Sequence, residues 1–238
     1  SAADTLATAV ATQHRRAMPN VARRALHTRH AAMAKADGEV TVAVRHTGRA
    51  NELGTNEIVA AWPGFVDTAY GIAVDVGSTT VAGHLCELLT GEIVGSYGAM
   101  NPQIRFGEDL MSRVSYVMMN PGGDRELTTA IRSALDDLVG NLVDAAGVNR
   151  SNVLEMTIVG NPIMHHILLG IDPTPLGMAP FVLATNQAVS GWATELDIAL
   201  PNACYYVGPC IAGHVGADTA AAILAEGPHR SAEMQLLV

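Results

Sequence analysis

The chain is short of aromatic residues, of cysteine and of positive charge, and each shortage removes a class of function. Phe, Tyr and Trp make up 4% of its 238 residues, and Asp plus Glu outnumber Lys plus Arg by 23 to 14, for a net charge of −9. A nucleic-acid surface needs cations for the phosphates and rings for the bases, so no nucleic-acid partner is expected. Cysteine occurs only at Cys86, Cys204 and Cys210, with no C-x-x-C pair. That is too few for a disulfide framework and supplies neither a zinc ribbon nor a cluster-binding loop. Free thiols in a reducing compartment are expected. Long hydrophobic runs are lacking too: apolar stretches break well short of the roughly 20 residues needed to span a bilayer, and no charged leader precedes an apolar segment. A soluble, cytoplasmic protein with no membrane partner is the expectation. What is present is 49% hydrophobic content, enough to bury a core in one large domain or two small ones.

Charge is unevenly spread. Residues 1–36 carry Arg15, Arg16, Arg23, Arg24, Arg29 and Lys35 against Asp4 alone. This Ala-rich piece reads as two helical segments split by Pro19, the second ending near Asp37 and Gly38. A solvated helical linker, a transit peptide or a surface for an anionic partner all fit such a start. "GEVTVAVRHTG" (38–48) alternates like a strand, and "WPGF" (62–65) is a turn. Residues 1–70 are therefore expected to form a basic helical linker with a small middle segment.

From residue 71 the pattern becomes regular. Strands are predicted at 71–75, 81–88 and 92–99, with Thr90 and Gly91 turning the second hairpin. Helical patterns follow at 108–119 and 124–146, the second capped by Asp124 and closed by Gly147. A buried strand at 156–160 leads into a short helix ending at Leu169 and Gly170. After a Pro-rich excursion (172–201) come a strand at 204–208 and a small-residue helix at 216–226. The order β-β-β-α-β-α-β-α makes the fold class α/β.

One stretch carries chemistry: "GIAVDVGSTTVAGHL" (71–85). An ordinary hairpin explains the Gly and Ser. It does not explain why the strand ends on Asp75. Backbone N–H groups of a tight Gly-containing turn bind phosphate oxygens, and the hydroxyls of Ser78, Thr79 and Thr80 add donors. A carboxylate at the strand end can hold a hydrated Mg²⁺ that neutralises the same phosphates. Elsewhere the residues are read more plainly. His165 and His166 are adjacent, point to different helix faces and have no third ligand nearby, which argues against a metal site. Met111, Met118 and Met119 read as core, and Cys204 and Cys210 as buried structural residues. Asn101, Arg105, Glu108 and Asp109 either border the phosphate cleft or face a partner, and Glu108 and Asp109 equally suit a helix first turn.

"VDVGSTT" resembles the first phosphate loop of the actin, sugar kinase and Hsp70 ATPase (ASKHA) superfamily, and the element order is similar to one ribonuclease-H-like half of that fold. Within it, "NPQIRFGEDLMSRVSY" (101–116), "TIVGNPIMHHILLG" (157–170) and "AGHVGADTAAAIL" (212–224), together with the loop, resemble the reductive activators of corrinoid proteins. The resemblance implies an ATPase that returns an oxidised Co(II) corrinoid to Co(I), with a corrinoid methyl-transfer protein and an electron donor as partners; a homodimer is allowed. It implies ATP and Mg²⁺ as cofactors, with Asp75 on the metal, Gly77, Ser78, Thr79 and Thr80 on the phosphates, and Asp218 positioning water; an Asp before "TAAAIL" also suits a helix N-cap, and the two roles are compatible. Gly213 and Gly216 would approach the nucleotide, with His214 beside them. Two departures stand out. No cysteine precedes Cys86, so a [2Fe-2S] cluster is expected only in a domain outside this chain. The sequence also stops where the family's second phosphate loop would begin, so residues 71–238 are expected to be the first half of the cleft. Other readings are an activator of 2-hydroxyacyl-CoA dehydratases, or an actin- or Hsp70-like nucleotide switch without enzymatic activity.

Overall fold

The computed structural model describes residues 2–14, 19–22, 39–47 and 55–230. It holds two sheets, each with its own core.

The smaller sheet has the order β1-β3-β2. It is built from β1 (Asn20–Val21), β2 (Val40–Thr47) and β3 (Thr55–Pro63), with helix α1 (Ala2–His14) beside it. Leu6, Val10, Ala22, Ile58 and Ala61 form its buried cluster, against which Trp192 packs. Strand β2 forms where expected, but a register shift between Ala43 and Val44 breaks its alternation and leaves Val44 exposed; β3 is an addition to the expected elements. Ile58, Val59, Ala60 and Ala61 are all buried, so both faces of β3 are covered and the period-2 signal vanishes. After Pro19 the chain is extended rather than helical, because Asn20 and Val21 pair in parallel with Glu57 and Ile58. The remainder of the second predicted helical segment lies outside the described residues.

The larger sheet has the order β6-β5-β4-β7-β9-β8. Strands β4 (Tyr70–Val76), β5 (Thr80–Glu87) and β6 (Ile93–Met100) form an antiparallel meander. Strands β7 (Val153–Gly160) and β9 (Cys204–Val207) extend it in parallel with β4. The short β8 (Val189–Trp192), absent from the sequence expectations, closes the edge antiparallel to β9. Between the strands lie α2 (Leu110–Met119), α3 (Gly123–Ala146), α4 (Pro162–Leu169) and, last, α5 (Ala217–Glu226).

Alternation decides which face is covered. Ile72, Val74 and Val76 of β4, Val81 and Leu85 of β5, and Met156 and Ile158 of β7 belong to the main core. Helix α3 lies on that face, with Leu127, Ile131, Leu135, Leu138 and Leu142 at helical spacing and all buried. A Cβ at Gly83 would lie 2.7 Å from the Leu138 side chain, so glycine lets the helix press onto β5. Burying each Leu contributes about 1.5–3 kcal/mol. The other face presents small and polar side chains. His84, Ala73, Thr157 and Tyr206 fall in register across β5, β4, β7 and β9, and all are exposed.

Helix ends follow local chemistry. Helix α3 begins at Gly122, which is left-handed (φ 89°) and has no side-chain cap; Asp124 lies in the first turn rather than at the cap. Two glycines in succession make the turn out of α2, so the chain enters the helix before Asp124 can cap it. Gly147 closes α3 with φ 65°. Met111, Met118 and Met119 are 46%, 56% and 74% exposed, which corrects their reading as core. Only Arg113 and Val114 of α2 are buried, so this short helix covers the core with the face that carries the arginine. Among the described residues no helix is long and apolar enough to cross a membrane.

Candidate functional site

Three strands of the large sheet, β4, β7 and β9, run parallel, and their carboxyl ends meet one helix start. In open α/β sheets this edge is where ligands bind. Asp75 lies one residue from the end of β4, opposite Val159 of β7 and Ala82 of β5. Gly160 ends β7 and Gly208 follows β9. Helix α5 begins beside both. A Cβ at Gly208 would lie 3.0 Å from the Ala217 Cβ, and one at Gly216 would lie 2.5 Å from the Gly160 carbonyl and 2.6 Å from the Asn161 Cα. The glycines are thus what allow α5 to start against the strand ends.

That start carries Asp218. It is not the N-cap: Gly216 occupies that position without a side-chain bond. The Asp218 carboxylate instead accepts the backbone N–H of Thr219 at 2.7 Å. Asp75 is exposed, but partial desolvation at the strand end raises its carboxyl pKa above the usual carboxylate range, and the charge of Asp218 raises it further. The start of α5 is therefore near enough to the end of β4 for the Asp218 charge to be felt at Asp75. Among the described residues no group of three or more His, Cys, Asp or Glu could hold a metal. A divalent ion here would therefore take much of its shell from water and phosphate oxygens, the habit of Mg²⁺.

The turn between β4 and β5 begins at Gly77, where a Cβ would lie 2.5 Å from the Thr80 carbonyl. Ser78 follows it, with Thr79 and Thr80 exposed. The turn is held from behind by residues of the next connection. Asn101, fully buried, donates Nδ2 to the Gly77 carbonyl at 2.8 Å, and its backbone N–H donates to the Thr79 carbonyl at 2.8 Å. Its Oδ1 accepts the Gln103 N–H at 2.9 Å, capping the 3-10 turn Pro102–Phe106. Arg113 donates Nη2 to the Ser78 carbonyl and Nε to the Gly107 carbonyl at 3.1 Å. Its Nη1 reaches Gln103 Oε1 at 3.3 Å and Met164 Sδ at 3.2 Å. Arg113 is fully buried, and burial lowers its pKa, with Asp109 opposing.

The other candidates divide. Asp109 is the N-cap of α2, accepting the Ser112 N–H at 2.7 Å. Glu108 is exposed. Arg105 stacks 4.6 Å over the Phe106 ring and lines an open cleft of about 690 Å³ with Arg125, Thr129 and Ser133. Gly213 sits in a tight turn closed by two backbone bonds between Ala212 and Val215; a Cβ there would lie 2.8 Å from the Phe181 Cβ. His214 packs its ring 4.2 Å from Phe181. His166 is fixed by Pro162 O and the Ala184 N–H, while the buried His165 has no partner for either ring nitrogen. Cys204 and Cys210 are buried. Arg113 is the residue that sequence reasoning passed over. Its signal was a lone arginine in "MSRVSY", beside the methionines that face outward.

The class of protein is then plain: an open α/β sheet with Asp75, a Gly-Ser-Thr-Thr turn and the helix start that carries Asp218 at the carboxyl ends of its parallel strands. The RACo middle region family matches residues 70–231, and the chain belongs to that family. It is 33% identical over 171 residues to the corrinoid activation enzyme RamQ of Eubacterium limosum, covering 71% of this chain and 28% of that protein. A solved structure of a reductive activator for a corrinoid, iron–sulfur protein superposes with a TM-score of 0.82 at 29% identity, over 96% of this chain and 36% of the other. The resemblance to reductive corrinoid activators holds, and the chain spans about a third of the length of these relatives.

Proposed function

We propose that this chain supplies one wall of the nucleotide cleft of an ATP-dependent reductive activator of a corrinoid protein. The observation that carries the reading is the meeting of Asp75, the 77–80 turn and Asp218 at one sheet edge, in a chain whose relatives are named for corrinoid activation. The strand order β6-β5-β4-β7-β9, with β5 antiparallel to its neighbours, supports a ribonuclease-H-like half of an ASKHA ATPase. The separate small sheet and core support a division near residue 70.

In this reading ATP is the substrate. The N–H groups and hydroxyls of residues 78–80 would hold its outer phosphates, and Asp75 would hold Mg²⁺, whose charge would neutralise theirs. Asp218, in the first turn of α5, would orient the attacking water as a hydrogen-bond acceptor. Hydrolysis then switches how the protein engages its partner, and that differential binding favours transfer of one electron from an iron–sulfur donor to Co(II), giving Co(I). The donor is a separate protein or another domain. Cys204 and Cys210 are buried, and burial raises the Cys204 thiol pKa to about 11. This lends no support to a bridging cluster of the dehydratase-activator kind. One wall of a cleft binds nucleotide weakly by itself, so the test is titration of Mg·ATP into the full-length protein that carries this chain, as wild type and as Asp75→Ala. Binding that requires magnesium and is lost in the variant is expected; binding of equal strength in both would overturn the metal role.

A further inference from the structure

The carbonyls of Gly77, Ser78 and Thr79 are all tied to one side of the turn, by Asn101 Nδ2, Arg113 Nη2 and the Asn101 N–H respectively. In a trans peptide the C=O of one residue and the N–H of the next lie in one plane and point in opposite directions. Fixing these carbonyls therefore aims the N–H groups of Ser78, Thr79 and Thr80 the other way. Among the described residues the N–H groups of Ser78 and Thr79 donate to nothing. Three successive N–H groups on one side of a turn form an anion-binding concavity.

We infer that Arg113 is a positioning residue, the buried anchor that, with Asn101, holds this turn in its anion-binding conformation. The inference rests on the phosphate-binding reading above. It explains a buried guanidinium whose hydrogen-bond partners are all neutral: Ser78 O, Gly107 O, Gln103 Oε1 and Met164 Sδ. Burying a cation is costly unless its donors are satisfied. Only the planar fork of arginine, with donors fixed at several angles, reaches acceptors on the turn, the 3-10 segment and α4 together. Lysine keeps the charge and loses that reach. Gly107 belongs to the same device: a Cβ there would lie 2.8 Å from the Arg113 backbone N, so glycine is what lets this connection close on α2.

The test uses the full-length protein that carries this chain, ¹⁵N-labelled in this segment, and follows the amides of residues 78–80, their exchange with solvent, and their shifts on adding Mg·ATP. Three variants are compared. Arg113→Lys removes the fork. Asn101→Asp removes the donor to Gly77 O but keeps the acceptor that caps the 3-10 turn. Val114→Ala lowers stability from the neighbouring buried position without touching the turn. The expected result is displaced turn amides, exchanging at least about tenfold faster, in Arg113→Lys and Asn101→Asp but not in Val114→Ala, with Mg·ATP affinity falling about tenfold in the same two variants. Turn amides unchanged in both anchor variants, or equally disturbed in Val114→Ala, would overturn the positioning role. If Mg·ATP leaves the wild-type amides unmoved while the anchor variants still release them, the anchor stands and the phosphate reading falls.

Discussion

Asp75 is where stability and the proposed function oppose one another. Its carboxyl pKa is raised by partial desolvation and by Asp218 although the residue is exposed, so the folded state binds its proton somewhat more tightly than the unfolded chain. The stabilisation from this group is therefore present at low pH and is lost as pH rises through the raised pKa. A cation needs the opposite form, so Mg²⁺ affinity should rise with pH over the same interval. Asp75→Asn should leave the free protein as stable as wild type or up to about 0.5 kcal/mol more so at neutral pH, while abolishing the magnesium-dependent part of nucleotide binding. Denaturant unfolding and titration check both halves; loss of stability together with retained magnesium dependence would contradict the assignment. Gly216 offers a second residue test. Alanine there drives a Cβ against backbone atoms of Gly160 and Asn161, which cannot rotate aside. A cost of about 1–3 kcal/mol is expected, with α5 and its Asp218 displaced, and thermal unfolding measures it.

Among the elements, α4 stores an acid sensitivity. Burial, then the neighbouring His166, lowers the His165 pKa to about 4, and burial lowers that of His166 as well. Both ring nitrogens of His165 are without partners. A folded pKa below the unfolded 6.5 means that stability is full above pH 6.5 and is lost as pH falls toward 4, by on the order of 3 kcal/mol for His165. His165→Leu should flatten most of that acid limb, His166 keeping the remainder, and should not destabilise the protein at neutral pH. Urea unfolding across pH 4–7 checks it. Elements were legible where one face is wet. Strands β4, β5 and β7 and helix α3 lie within a few residues of their sequence expectations, because alternation and helical spacing survive when a single face is buried. Strand β3 was hidden by burial on both faces, and β8 by its length of four residues within a Pro-rich stretch. Local spacing likewise showed Asp75 and the 77–80 turn. It could not show Arg113, whose partner Ser78 lies 35 residues away, nor that α2 turns its arginine inward and its methionines to solvent.

At the scale of the whole molecule, the 77–80 turn, the 101–113 connection that holds it and the α5 start lie along one edge of the large sheet. Partner sensing and nucleotide state can be coupled only if a free-energy difference links them, and Asn101 and Arg113, which hold the turn, belong to the same connection and helix as Arg105 and the exposed methionines. The measurement that bears most directly on the proposed function is ATP hydrolysis by the protein carrying this chain, with and without a corrinoid protein held in the Co(II) state, for wild type and Asp75→Ala. Hydrolysis stimulated by the Co(II) partner and lost in the variant is the expected result. Turnover indifferent to any corrinoid protein would contradict reductive corrinoid activation and leave a nucleotide switch of another kind.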